Sequence, residues 1–166
     1  TEDAPALEYP ITCHITGAEI QNNRAAQNGG GVYFYQMSYP DDYTGVEKEQ
    51  PELDNKEVEA YIKELTLNGT SVYSNYAGCG QDNLLTPDNA NGSGHGGGIY
   101  LKAKENTTLN ILGCDIYSNS AYNGNGGGVF MISTNGTLNF YGGKLTNNSV
   151  VACGGAIFAN GIFRMY

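Results

Sequence analysis

Apolar and polar residues alternate in short runs along most of the chain, and the runs recur. Four segments align without gaps: "CHITGAEIQNN" from residue 13, "LTLNGTSVYSN" from 65, "LNILGCDIYSN" from 109 and "LNFYGGKLTNN" from 138. Alternation with period two sends successive side chains to opposite faces of a strand. Cys13, Leu65, Leu109 and Leu138 therefore share one inward column, and Ile15, Leu67, Ile111 and Phe140 share the next. A turn glycine follows in each copy (Gly17, Gly69, Gly113, Gly142), then a third apolar column (Ile20, Val72, Ile116, Leu145) and, three residues on, an asparagine (Asn23, Asn75, Asn119, Asn148). Each copy leads into a glycine block and a β-rich run, "GGGVYFY" at 29, "GGGIYLK" at 96, "GGGVFMI" at 126 and "CGGAIFA" at 153. These runs add a fourth inward column of Val32, Ile99, Val129 and Ile157.

Recurrence of this kind predicts three short strands and two bends per copy, stacked as parallel rungs around an interior that no single copy could bury. The expected fold is all-β, a short parallel β-helix of about four rungs. Asparagine tolerates a left-handed bend, and its amide can bond to the rungs above and below. Glycine lets successive backbones pass where a Cβ would clash. The last two copies are offset by 29 residues, and the larger offsets of 52 and 44 before them imply insertions. In the first insertion, 36–64, "DNKEVEAYIKEL" sets Val58, Tyr61, Ile62 and Leu65 at helical spacing behind Asp54 or Asn55 as a cap, which predicts one short helix. The second, 77–96, reads as a long loop of turn residues. The chain, 1–166, is expected to form one domain.

"GGAI" at 154–157 with its relatives "GGGV" and "GGGI", and the aliphatic-x-x-Asn units "IQNN", "VYSN", "IYSN" and "LTNN", resemble the GGA[ILV] and FxxN repeats of polymorphic outer membrane proteins. More broadly they resemble the right-handed pectin-lyase-like β-helices of microbial surface adhesins, over 11–35 and 65–163. The resemblance implies a right-handed coil and an extracellular or cell-surface location. It leaves function open, because this superfamily holds adhesins, phage tailspikes and polysaccharide lyases alike.

Composition agrees with turn-rich β structure: 24 Gly, 13 Tyr, no Trp and 15% charged residues in 166. The net charge of −9 is concentrated, since 41–64 holds nine acids against three lysines and 1–10 holds three acids and no base. An acidic chain without a basic stripe argues against a nucleic-acid partner. No apolar run approaches the ~18–20 residues of a membrane span. The chain begins with Thr1 and carries no basic-then-apolar leader, as expected of a mature or trimmed product.

Candidate chemistry is sparse. A lyase of this fold would gather carboxylates for calcium beside a basic residue. Here Arg24 and Arg164 fall at opposite ends, and Glu19, Asp115 and Lys144 share an outward column on different rungs. His14 and His95 lack metal-ligand spacing and read as solvent-facing. "GNGGG" at 124–128 lacks the Lys-Ser/Thr of a phosphate loop and is explained by the repeat. No catalytic residue, metal ligand or cofactor is therefore assigned.

Cys79 and Cys153 both fall in a bend before a glycine block and are the favoured disulfide pair for an oxidising compartment. Asn68, Asn91, Asn106, Asn135 and Asn147 each begin an N-x-S/T sequon and are glycosylation candidates. Tyr33, Tyr100, Phe130 and Phe158 form an outward aromatic column, either covered by the helix of the first insertion or serving as a platform for glycans or protein. The function expected is a non-enzymatic structural or adhesive module, with assembly of copies end to end as its sharper form. A carbohydrate-binding or lyase-type β-helix is the alternative.

Overall fold

A computed structural model describes residues 8–36, 59–79 and 94–166. In chain order these form β1 (Glu8–Thr16), β2 (Glu19–Gln21), β3 (Arg24–Ala25), β4 (Val32–Tyr35), β5 (Glu59–Asn68), β6 (Ser71–Tyr73), β7 (Tyr76–Ala77), β8 (Ile99–Glu105), β9 (Thr108–Tyr117), β10 (Ser120–Ala121), β11 (Val129–Thr146), β12 (Ser149–Val150) and β13 (Ile157–Met165). The described residues are all-β, with no helix among them.

The pairings are parallel throughout. Nine strands make one sheet with the path β1-β5-β9-β11-β8-β4, to which β13, β2 and β6 attach, and the short strands β12-β10-β7-β3 make a second. The large sheet curls because β11 belongs to two walls. Its first part, from Val129, pairs with β8, and its second, from Thr137, pairs with β9. The register shift between them falls at Asn135–Gly136, where the chain turns the corner with Asn135 at φ 54°.

The four inward columns of the sequence pair residue for residue. Cys13 lies against Leu65, Leu65 against Leu109 and Leu109 against Leu138. Ile20, Val72, Ile116 and Leu145 follow one another in the same way, as do Val32, Ile99, Val129 and Ile157. Parallel strands with a buried face favour this β-branched and leucine content. The middle layers hold the core: Leu65, Leu67, Val72, Ile99, Leu109, Ile111, Ile116 and Val129 are fully buried, as is Leu138 of the fourth layer, while Cys13, Ile15, Ile20, Leu145 and Ile157 in the outer layers are half-buried. The second part of β13, Ile162–Met165, begins a fifth layer by pairing on Thr137–Phe140. That partial layer was not visible in the repeat, because "IFRM" carries neither the turn glycine nor the asparagine.

The helix expected over 54–65 is corrected where it can be seen, since Glu59–Asn68 is the strand β5 between β1 and β9. Tyr61, Ile62 and Leu65 fit helical spacing, but Leu65 and Leu67 also fit the alternation of the layers on either side, and two flanking ladders outweigh local propensity. The rest of the first insertion, 37–58, and 80–93 of the second lie outside the described residues. Ala77, placed in the loop by its sequence, ends β7.

Glycine is demanded for two separable reasons. Gly69 sits at φ 56° with open space around a prospective Cβ, so only backbone strain opposes a side chain. At Gly127 a Cβ would come 2.3 Å from the Ser149 carbonyl oxygen and 2.5 Å from that of Gly155, which are backbone atoms of neighbouring layers. Gly127→Ala should therefore destabilise the fold by about 3 kcal/mol through forced separation of layers. Gly69→Ala should cost about 1 kcal/mol. Urea unfolding of the two variants checks the order, which reverses if strain rather than crowding dominates.

Candidate functional site

The repeat's polar residues meet at the bends, where the backbone turns out of the sheet and must find other partners for its N–H and C=O groups. Each bend has a left-handed residue, Asn22, Ser74, Ser118 or Asn147, at φ between 53° and 58°. The residue after it is the column asparagine. Asn119 N and Nδ2 both donate to Asn148 Oδ1 at 3.0 Å, and Nδ2 also donates to Val72 O at 2.8 Å. Asn75 repeats this towards Asn119 and Ile20 O, and Asn23 donates to Asn75 Oδ1 through both nitrogens. Asn75 and Asn119 are fully buried. Each amide thus has two donors and a doubly accepting oxygen engaged, and the ladder has one direction along the stack.

A second ladder occupies the glycine corner, which sequence reasoning missed. Asn28 Oδ1 accepts from His95 N at 2.9 Å, His95 Nδ1 accepts from Asn125 N at 2.9 Å, and Asn125 Oδ1 accepts from Cys153 N at 3.1 Å. His95 is therefore no solvent-facing residue. It is half-buried, its ring lies 4.5 Å from that of Phe130, and it fills a position asparagine holds on two other layers. The signal was present in the alignment, as the residue before each corner glycine is Asn28, His95, Asn125 or Cys153. Burial, then the charge of Lys102, holds the imidazole below its usual pKa.

The aromatic column is a ladder as well. Tyr33–Tyr100, Tyr100–Phe130 and Phe130–Phe158 stack with centroids 5.1, 5.2 and 5.2 Å apart and planes within 9° of parallel. Tyr100 and Phe130 are 5% and 3% exposed, whereas Tyr33 is 53% exposed. Residues 59–65 cannot be the covering helix, being β5 in another wall. Tyr35 tilts beside Tyr33 at 5.9 Å, with Lys102 Nζ 5.7 Å above its ring. Tyr73–Tyr117 and Tyr141–Tyr166 stack elsewhere on the surface at 4.7 and 4.5 Å.

On the outward face of the first wall a polar chain runs from Asn139 Nδ2 to Asn110 Oδ1, from Asn110 Nδ2 to Thr66 Oγ1, and from Thr66 Oγ1 to the Glu64 carboxylate. Asn139 Oδ1 is buried and accepts nothing, and Arg164 is the residue in register with it on the next layer. Glu19, Ser71, Asp115 and Lys144 form the other mixed column. Glu19 and Asp115 are thus two layers apart, about 9–10 Å. That spacing is wide for joint hold on one proton. Among the described residues no group of three His, Cys, Asp or Glu converges on a metal position.

Asn68, Asn106, Asn135 and Asn147 are all exposed, and the last three have φ of 52°, 54° and 55°. Asn91 lies outside the described residues. The pairing of Cys79 with Cys153 is corrected, since all four cysteines are free. Cys79 follows β7 and Cys153 follows β12, with β10 between them. Two strand spacings, about 9–10 Å, exceed the ~7 Å that a disulfide allows between Cα atoms. Burial pushes the Cys79 and Cys114 thiols up, while Cys153 is exposed. Comparison with protein-family models, with curated proteins and with solved structures gives no match.

Two outcomes follow from this geometry. Asn119→Ala strips partners from Asn75 N–H, Asn75 Nδ2 and Val72 O, leaves Asn148 Oδ1 only the backbone N–H of residue 119, and should cost about 4 kcal/mol. Asn23→Ala, at the end of the ladder, should cost about 1 kcal/mol by the same unfolding measurement. In the folded chain a thiol reagent at neutral pH should modify Cys153 promptly and leave Cys79 and Cys114 until unfolding, as read by mass spectrometry.

Proposed function

We propose that this chain is a right-handed parallel β-helix of the surface-protein type its repeats resemble, serving as a non-enzymatic structural or adhesive module outside the cell or at its surface. The asparagine ladder Asn23–Asn75–Asn119–Asn148 carries the reading. The repeat's polar groups are spent on binding layer to layer, the economy of a load-carrying stack rather than of a reaction centre. The outward columns, which vary from layer to layer, are the surface available to partners.

End-to-end association of copies is the sharper form of the proposal. The layer chemistry supports it, because any layer of the stack offers the next the same columns. Among the described residues Asn23 Oδ1 accepts no hydrogen bond, and Asn148 N–H donates none. The final stretch, 137–166, holds Lys144 and Arg164 without any Asp or Glu, while 8–36 holds Glu8 and Glu19 with Arg24. A copy docked in register would bring its Glu19 over Lys144, since these share one column. It would also have to displace Ile162–Met165 from Thr137–Phe140.

A glycan-binding reading has one observation of its own. Tyr33 and Tyr35 are exposed side by side near Lys102, and either ring offers a face on which a sugar can stack.

Sedimentation tests the association. The parent chain should self-associate at high concentration, Glu19→Lys and Lys144→Glu should each stay monomeric, and an equimolar mixture of the two should associate again. A parent that stays monomeric throughout sinks the end-to-end form. Release of unsaturated or hydrolysed products from polyuronides with added calcium would sink the non-enzymatic reading itself.

A further inference from the structure

The glycine corner between the second and third layers differs from its neighbours in one residue. On the layers of Asn28 and Asn125 the acceptor for the next layer's N–H is an amide oxygen, which stays an acceptor at any pH. On the layer between them it is His95 Nδ1, an acceptor only while the imidazole is neutral. We infer that His95 is a pH-sensitive latch: neutral, it carries the corner ladder through to Asn125; protonated, it turns acceptor into donor, opposes the Asn125 N–H and releases this corner of the stack.

The groups around the ring allow no easy escape. His95 N is held by Asn28 Oδ1 and His95 O by Gly29 N at 3.0 Å, so the backbone on either side is fixed to the first layer. Phe130 stacks on the ring from β11, and Tyr100 stacks on Phe130 from β8. Among the described residues the charge that bears on the ring is the Lys102 ammonium of β8, which has the same sign as an imidazolium and is itself positioned over Tyr35. Next to the latch, Gly94 N donates to Tyr122 O and Gly96 N to Asn125 O, so these two bonds would loosen with it. Release would therefore loosen the described corner at Gly94–Gly96 while the asparagine ladder, which has no titratable member, stays closed.

The sign follows from the depressed pKa. A base held neutral when folded contributes its stability in full above the free histidine value of about 6.5 and loses it as pH falls through the folded value. Where opening permits protonation, the open fraction rises about tenfold per pH unit below about 6.5.

Amide hydrogen exchange of the full chain from pH 7.5 to 4.5, corrected for the intrinsic rate, reads this directly. Exchange at Asn125, Gly94 and Gly96 should accelerate by that factor until the folded value is reached, while Asn75 and Asn119 stay protected. His95→Asn, which restores the amide of the neighbouring layers, should flatten the profile. Lys102→Gln removes the like charge, lets the folded imidazole take its proton at higher pH, and should make the acceleration smaller and level off sooner as pH falls. Corner protection that stays flat while the His95 ring titrates by NMR overturns the inference, as does a His95→Asn chain with the parent's profile. If His95→Asn does not fold, a Lys102→Gln profile with the parent's full acceleration overturns it alone.

Discussion

The structure depends on one pairing problem: at the two inner bends layers of backbone converge around buried Asn75 and Asn119, and their polar groups must be satisfied from within. A buried amide has the inventory the site requires. It gives two donors, one for the carbonyl of the preceding layer and one for the following amide, and an oxygen able to accept twice. Aspartate would lack the donors and serine the reach. Because Asn75 and Asn119 are fully buried, each of these bonds acts in a low dielectric and each loss leaves an orphan. The same pairing fixes register. A slip of one residue would break the amides and turn every inward column outward, so the apolar core and the polar ladder select the same alignment.

That agreement explains how much was legible from sequence. Leu109 above Leu138 and Asn119 beside Asn148 follow from alternation and repetition alone, since both are consequences of contacts between copies. The errors arose where local and non-local preferences diverged. Tyr61, Ile62 and Leu65 satisfy a helical period, and only pairing with other strands decides against it, with β1 along the whole of it and with β9 from Glu64 on. Cys79 and Cys153 look equivalent when each bend is viewed by itself, but an intervening layer separates them. The reading of His95 as solvent-facing fails for a different reason. Its function there is that of an asparagine, and residue type disguised the column.

The stack divides its residues into two classes. Inward columns and corner residues interact with their own kind on the next layer, which makes them repetitive and leaves little freedom to vary. The outward column of Glu19, Ser71, Asp115 and Lys144 changes character at every step. Individuality of the surface is thus written on a uniform frame. The stacked aromatic column sits between the classes: it is repetitive and outward, and the enclosure of Tyr100 and Phe130 comes partly from ring on ring.

The position occupied by Gly31, Gly98 and Gly128 is taken on the fourth layer by Ala156. A methyl on Gly128 would come 2.6 Å from the Ala156 carbonyl oxygen, so the methyl of Ala156 points at the place a fifth carbonyl would take. Any layer laid above it is wedged apart at that one corner and not at the others. The axis of a continued column would then lean away from the glycine corner, and a fibre built from such units would curve instead of running straight.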